Sequence, residues 1–149
     1  MFKQILLPTD GSELSGKAVK QAIEVAKALG AKITALHIVG NYHLVLQDEG
    51  FSTPQIAVLK KRLEEEKAAR AKRILGSVEE AAKTAGVECD VATAISDVPY
   101  EMIIEQATRF KCDLIVMASH GRRGLQGFLL GSETQKVLTH SKIPVLVCR

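Results

Sequence analysis

Asp113-Leu114-Ile115-Val116-Met117-Ala118-Ser119-His120-Gly121 decides the fold. Its apolar core is too short for a helix and shows no alternation, so it predicts a strand covered on both faces, ending in a polar, glycine-bearing loop. Working outward, four more β-like runs appear: residues 2–7, closed by Pro8; 32–39; 87–94, the weakest; and 143–148. In chain order the first (2–7), fourth (113–118) and fifth (143–148) are nearly continuous in apolar residues, as parallel strands under two layers are.

Helical periods separate these runs. Over residues 13–29, Leu14, Ala18, Ala22, Val25 and Leu29 share one face, and Gly30 stops the helix. Residues 55–85 read as a long charged amphipathic helix ended by Gly86, with Gly76 as a point of bending. Asp97 reads as an N-cap, Pro99 stands in the first turn, and Met102, Ile103 and Ala107 face inward. Residues 132–140 form a short last helix before Pro144, whereas 41–53 have no period and read as an excursion after the second strand. Strands alternating with helices imply βαβ units, right-handed crossovers and an α/β fold with an open parallel sheet. No repeat or linker divides the chain, so residues 1–149 are one domain.

At 149 residues, such a domain buries roughly 68–70% of its unfolded surface. Aromatics are 4% and tryptophan is absent, which makes the core aliphatic. The net charge of +3 is interleaved, as in Lys60-Lys61-Arg62-Leu63-Glu64-Glu65-Glu66-Lys67, a pattern of solvated i,i+4 pairs. With few aromatics for stacking, this argues against a nucleic-acid partner. Cys89, Cys112 and Cys148 form no CxxC, the expectation being reduced thiols, with Cys112 and Cys148 buried and inert. The opening Met1-Phe2-Lys3-Gln4-Ile5-Leu6-Leu7-Pro8 lacks the apolar region of a signal peptide, and no apolar run approaches ~20 residues. The expectation is a cytoplasmic protein with no membrane partner.

In an open parallel sheet, ligands bind beyond the carboxyl ends of the strands, where the winding reverses. Two loops compete for that place: Pro8-Thr9-Asp10-Gly11-Ser12 after the first strand, and residues 119–132 after the fourth. If the two strands are neighbours, both loops line one crevice. The second contains Gly121, Gly124, Gly127 and Gly131, then Ser132 opening a helix, with Arg122 and Arg123 alongside. Glycines let backbone amides approach a ligand, and a helix N-terminus suits an anion, so the loop reads as a phosphate cradle. The plainer alternative is a flexible loop before a capped helix, the Ser132 hydroxyl serving as donor to phosphate or as N-cap. Asp10 is placed either to accept from ribose hydroxyls or to close an Asx turn. Gly11-Ser12-Glu13-Leu14-Ser15-Gly16-Lys17-Ala18 imitates GxxxxGK[ST] but ends in Ala18, and Leu14 already lies on the helical face, so it is a decoy. The histidines have no catalytic or metal spacing, and His120 reads as a hydrogen-bonding residue of the loop.

At these residues the chain resembles the universal stress protein family, along its full length. Ile5-Leu6-Leu7-Pro8-Thr9-Asp10-Gly11-Ser12 resembles the family's opening strand and loop; residues 117–132, followed by Ile143-Pro144-Val145-Leu146-Val147, resemble its closing half. Nucleotide-binding members carry G-x2-G-x9-G-[ST]; Gly121, nine residues, then Gly131-Ser132 match it, while Ala118 stands at the first glycine and Glu133 puts a carboxylate beside the phosphates. The resemblance implies a Rossmann-like sheet of order 3-2-1-4-5 with helices on both faces. It implies Pro8, Thr9 and Asp10 near adenine and ribose, Val39 at the base, Met117 and Ala118 along the nucleoside, and Gly121, Gly131, Ser132 and Thr134 at the phosphates. It also implies a homodimer through strand 143–148. The leading function is a non-catalytic stress-response module binding ATP or AMP, with Mg²⁺ accompanying ATP. The alternatives are a nucleotide-free dimeric interaction protein and a slow Mg²⁺-dependent ATPase.

Overall fold

The computed structural model describes residues 1–41, 52–121 and 129–149. Its elements are β1 (Gln4–Pro8), α1 (Glu13–Leu29), β2 (Lys32–Val39), α2 (Thr53–Ala85), β3 (Cys89–Ile95), α3 (Pro99–Arg109), β4 (Leu114–Ala118), α4 (Ser132–His140) and β5 (Val145–Cys148). All strand pairs are parallel, in the order β3-β2-β1-β4-β5, the order the resemblance implies.

Strand side chains alternate between two cores. Ile5, Leu7, Ile33, Ala35, Val116 and Ala118 face the layer holding Ala18, Ala22 and Ala26 of α1 with Leu75, Val78 and Ala82 of α2. Leu6, Leu36, Ile115 and Met117 face the opposite layer, with Ile103 and Ala107 of α3 and Val137 of α4. At ~25 cal/mol per Å² of apolar surface, two such layers dominate the stability of the sheet. At the far end, the Asp113 carboxylate accepts the backbone N–H groups of Lys3 (2.8 Å) and Gln4 (3.0 Å), tying the entries of β1 and β4 together.

Caps fix where the helices begin. The Ser12 hydroxyl accepts the Ser15 N–H and starts α1 at Glu13, which puts Gly16 and Lys17 inside the helix, where they cannot form a phosphate loop. Ser52 and Gln55 form a capping box that starts α2 at Thr53, two residues before the sequence expectation. The helix continues through Gly76 to a left-handed Gly86. The buried face of α1 includes Val19, Ile23 and Ala26 rather than Leu29, which is 40% exposed. Asp97 does not cap α3. Its carboxylate accepts the Asn41 N–H at 2.8 Å, and the N-cap position falls to Val98, which brings no side-chain acceptor. Of the expected excursion at 41–53, residues 42–51 lie outside the described part.

Candidate functional site

β1 and β4 lie side by side in the sheet, pairing Ile5 with Leu114 and Leu6 with Ile115. The winding reverses between them, so their carboxyl ends deliver two loops to one crevice. Asp10 comes from the first loop. Its Oδ1 accepts the Ser12 N–H at 3.0 Å, an Asx turn, while Oδ2 turns toward the second loop. A Cβ added at Gly121 would sit 2.8 Å from that oxygen. Any larger residue at 121, whose φ is not positive, would push that oxygen aside, so glycine lets the carboxylate keep this place.

Thr9, buried at 7% exposure, is the mounting for Asp10. Its N–H donates to the Leu36 carbonyl (2.9 Å), its hydroxyl meets the Ser15 hydroxyl (3.1 Å), and its carbonyl accepts from His37 Nδ1 (2.9 Å). A carbonyl only accepts, so Nδ1 carries the proton. Sequence reasoning left His37 as a scattered histidine; the signal for it was its place on β2, two residues before Val39 and on the same face. Gly11 adopts φ +77° against Ile74 of α2, where an added Cβ would come within 2.8 Å of the isoleucine side chain.

On the other side of the crevice, Met117 and Ala118 are both buried, in opposite core layers, and what they bring to the strand end is backbone. The Ser119 N–H donates to the Cys148 carbonyl (2.7 Å), and its hydroxyl pairs with His120 Nδ1 at 2.9 Å. Gly131 donates its N–H to the Ser119 carbonyl (2.8 Å), and a Cβ there would meet that oxygen at 3.1 Å and His120 Cα at 3.3 Å. Close approach, at an ordinary φ of −60°, is what favours glycine here. Gly131 is also the N-cap of α4, so Ser132 is its first residue and not its cap, with an exposed side chain. The Thr134 hydroxyl is buried and donates to the Ala118 carbonyl at 3.0 Å, pinning α4 to the end of β4. Glu133 turns toward α3, its Oε2 accepting the Tyr100 N–H at 2.9 Å.

The structure thus brings Asp10, Gly121, Ser119, His120 and the start of α4 around the ends of β1 and β4. Pro8 ends β1 beside Leu36. Val39 stands at the end of β2, where it lines a cavity of about 740 Å³ between α2 and the ends of β2 and β3, with Leu63, Lys67, Ala71, Leu75 and Ile95. Arg122, with Arg123, Gly124 and Gly127, lies outside the described residues. Among the described residues, no three His, Cys, Asp or Glu side chains gather to hold a metal, and no helix is long and apolar enough to cross a membrane. The three cysteines are unpaired with one another. Burial pushes the Cys112 thiol up to about 11, Asp113 adding to the effect, and burial raises Cys148 and Cys89 as well.

The family model for universal stress proteins matches residues 1–149. A universal stress protein of Methanocaldococcus jannaschii is 35% identical over 150 residues, covering all of this chain and 83% of its own length. The universal stress protein UspA of Lactobacillus plantarum superposes with a TM-score of 0.80 at 25% identity, over 99% of this chain and 98% of its own. A universal stress protein solved in complex with cAMP gives 0.72 at 25% identity, over 99% of this chain and 97% of its own. Matched by the family model from first residue to last and, over that same span, 35% identical to a relative, the chain belongs to the universal stress protein family.

Proposed function

We propose that this chain is an adenine-nucleotide-binding module of the stress response, taking ATP or AMP at the crevice between β1 and β4, and acting through nucleotide-dependent conformation or partner binding. The observation that carries the reading is the meeting of Asp10 and Gly121: a carboxylate suited to ribose hydroxyls faces the entry of the glycine loop, with only the space of a hydrogen atom between them. Gly131 then brings the first amides of α4 to the same crevice, an arrangement suited to phosphate. The relative solved with cAMP supports an adenine ligand for this site.

The protein works as a cytoplasmic homodimer paired through strand 143–148. In support, β5 is an edge strand whose Leu146 is 38% exposed, and such an edge is a liability until covered. Binding, not turnover, is its activity, with Mg²⁺ entering only as the counter-ion of ATP.

Calorimetric titration with ATP, AMP and cyclic AMP tests the reading. Saturable heat with at least one of them is expected. No heat at millimolar nucleotide refutes it and leaves the nucleotide-free interaction protein.

A further inference from the structure

We infer that Glu133 sets how many phosphates the site accepts, favouring one phosphate over three; this rests on the nucleotide-binding reading above. Glu133 is the second residue of α4 and follows Ser132, where that reading places the phosphates. A free carboxylate there could swing away into solvent. This one is fixed at both oxygens: Oε2 accepts the Tyr100 N–H at 2.9 Å, and Oε1 faces Lys136 Nζ at 3.3 Å. The first bond has a structural reason, since Val98, the N-cap of α3, offers no side-chain acceptor and the helix takes one from its neighbour.

The consequence is a negative charge held within one helical turn of the phosphate end. Lys136 offsets it only in part, because both members of the pair are solvent-facing, at 48% and 37% exposure. Among the described residues, the other side chains of the cluster do not neutralise it: Tyr100 lies near His140 and gives its hydroxyl hydrogen to Glu101. A phosphate monoester brings about −1.5 to −2 charges, and each further phosphate adds more against the same fixed carboxylate. Nor does the turn offer a spare donor in return, since the Thr134 hydroxyl is committed to the Ala118 carbonyl. The amides and the Ser132 hydroxyl can serve one phosphate; a triphosphate extends the repulsion without adding hydroxyl partners from this turn.

Wild type, Glu133→Gln and Lys136→Gln, as full-length chains, are titrated with adenosine, AMP and ATP without magnesium, at low and high salt. Glutamine keeps an acceptor for the Tyr100 N–H while removing the charge. The ratio of Kd for ATP to Kd for AMP is expected to fall about three- to tenfold in Glu133→Gln and to rise in Lys136→Gln, both effects shrinking at high salt. Ratios that stay at the wild-type value in both variants overturn the inference, and the nucleotide reading then stands on the wild-type titrations. The inference is equally overturned if Glu133→Gln shifts adenosine as much as ATP, which marks a purely structural role. If wild type binds none of the three ligands, the nucleotide reading itself has failed and this inference with it.

Discussion

Replacing Gly121 by alanine isolates the contact on which the functional reading depends. The added methyl would lie 2.8 Å from Asp10 Oδ2, whereas ordinary contact begins at 3.4 Å, so the oxygen must retreat by about 0.6 Å. The φ of Gly121 is not positive, so alanine adds no backbone strain. The movement must come from the Asp10 side chain, which is tethered through Oδ1 to the Ser12 N–H. Retreat therefore either stretches that bond, worth about 0.5–1.5 kcal/mol, or turns the carboxylate out of line with the crevice. If the carboxylate holds ribose hydroxyls, losing a charged hydrogen bond costs about 1.5–3 kcal/mol, which is roughly 10- to 100-fold in affinity. Calorimetry with adenosine isolates this effect because no phosphate is involved. Gly16→Ala, where the new methyl meets no atom within 4 Å, controls for the substitution itself. A Gly121→Ala protein that binds adenosine with wild-type affinity would show that Asp10 does not hold the ligand.

Two further outcomes concern the scaffold. Thr134→Val keeps the side-chain shape but loses the hydroxyl bond to the Ala118 carbonyl; the urea midpoint should fall by the equivalent of about 1–2 kcal/mol with an unchanged m-value, and an unmoved midpoint would deny the pin. Cys112 should resist alkylation at pH 8 while half-buried Cys89 reacts first. Because its folded value near 11 lies above the unfolded 9.0, its contribution to stability is whole below pH 9 and is lost as pH rises through 11, so urea midpoints that stay flat from pH 8 to 11 would contradict the burial argument.

Much of the fold was legible because strands under two layers have no choice but to be apolar. Ile5-Leu6-Leu7 and Leu114–Ala118 announce themselves this way, and Gly30 and Gly86 mark helix ends by a conformation other residues avoid. The errors fall where one chemical signal has two uses. Val87 reads as strand but is buried in the turn closing α2, its N–H donating to the Ala82 carbonyl, and β3 begins at Cys89. Ile143 and Pro144 read as strand, yet the Ser141 hydroxyl accepts the Ile143 N–H and delays β5 to Val145. Asp113 reads as strand but spends its carboxylate on the Lys3 and Gln4 amides. Asp97 is a good N-cap residue by type and bonds Asn41 instead.

The site divides along the same line. Asp10, Gly121 and Gly131 were visible because their roles are local to the loops that carry them. The Thr134–Ala118 bond, the His37–Thr9 bond and the Glu133–Tyr100 bond were not. Each joins residues far apart in the chain, and a side chain's distant partner leaves no period or spacing to read.

The central strand is also the first in the chain. Ile5, Leu6 and Leu7 are fully buried, yet one edge of β1 is filled by β2 within a single βαβ unit, while the other waits for β4. The Asp113 clamp on Lys3 and Gln4 spans 110 and 109 positions. Closing so long a loop adds little to the equilibrium cost, which grows only with the logarithm of length, but it delays folding. During that delay the half-sheet β3-β2-β1 holds its most apolar strand with one row of amides and carbonyls open. That is the state in which one chain pairs wrongly with another. The hazard of aggregation therefore sits in the middle of the finished sheet, at an edge that exists only until β4 arrives.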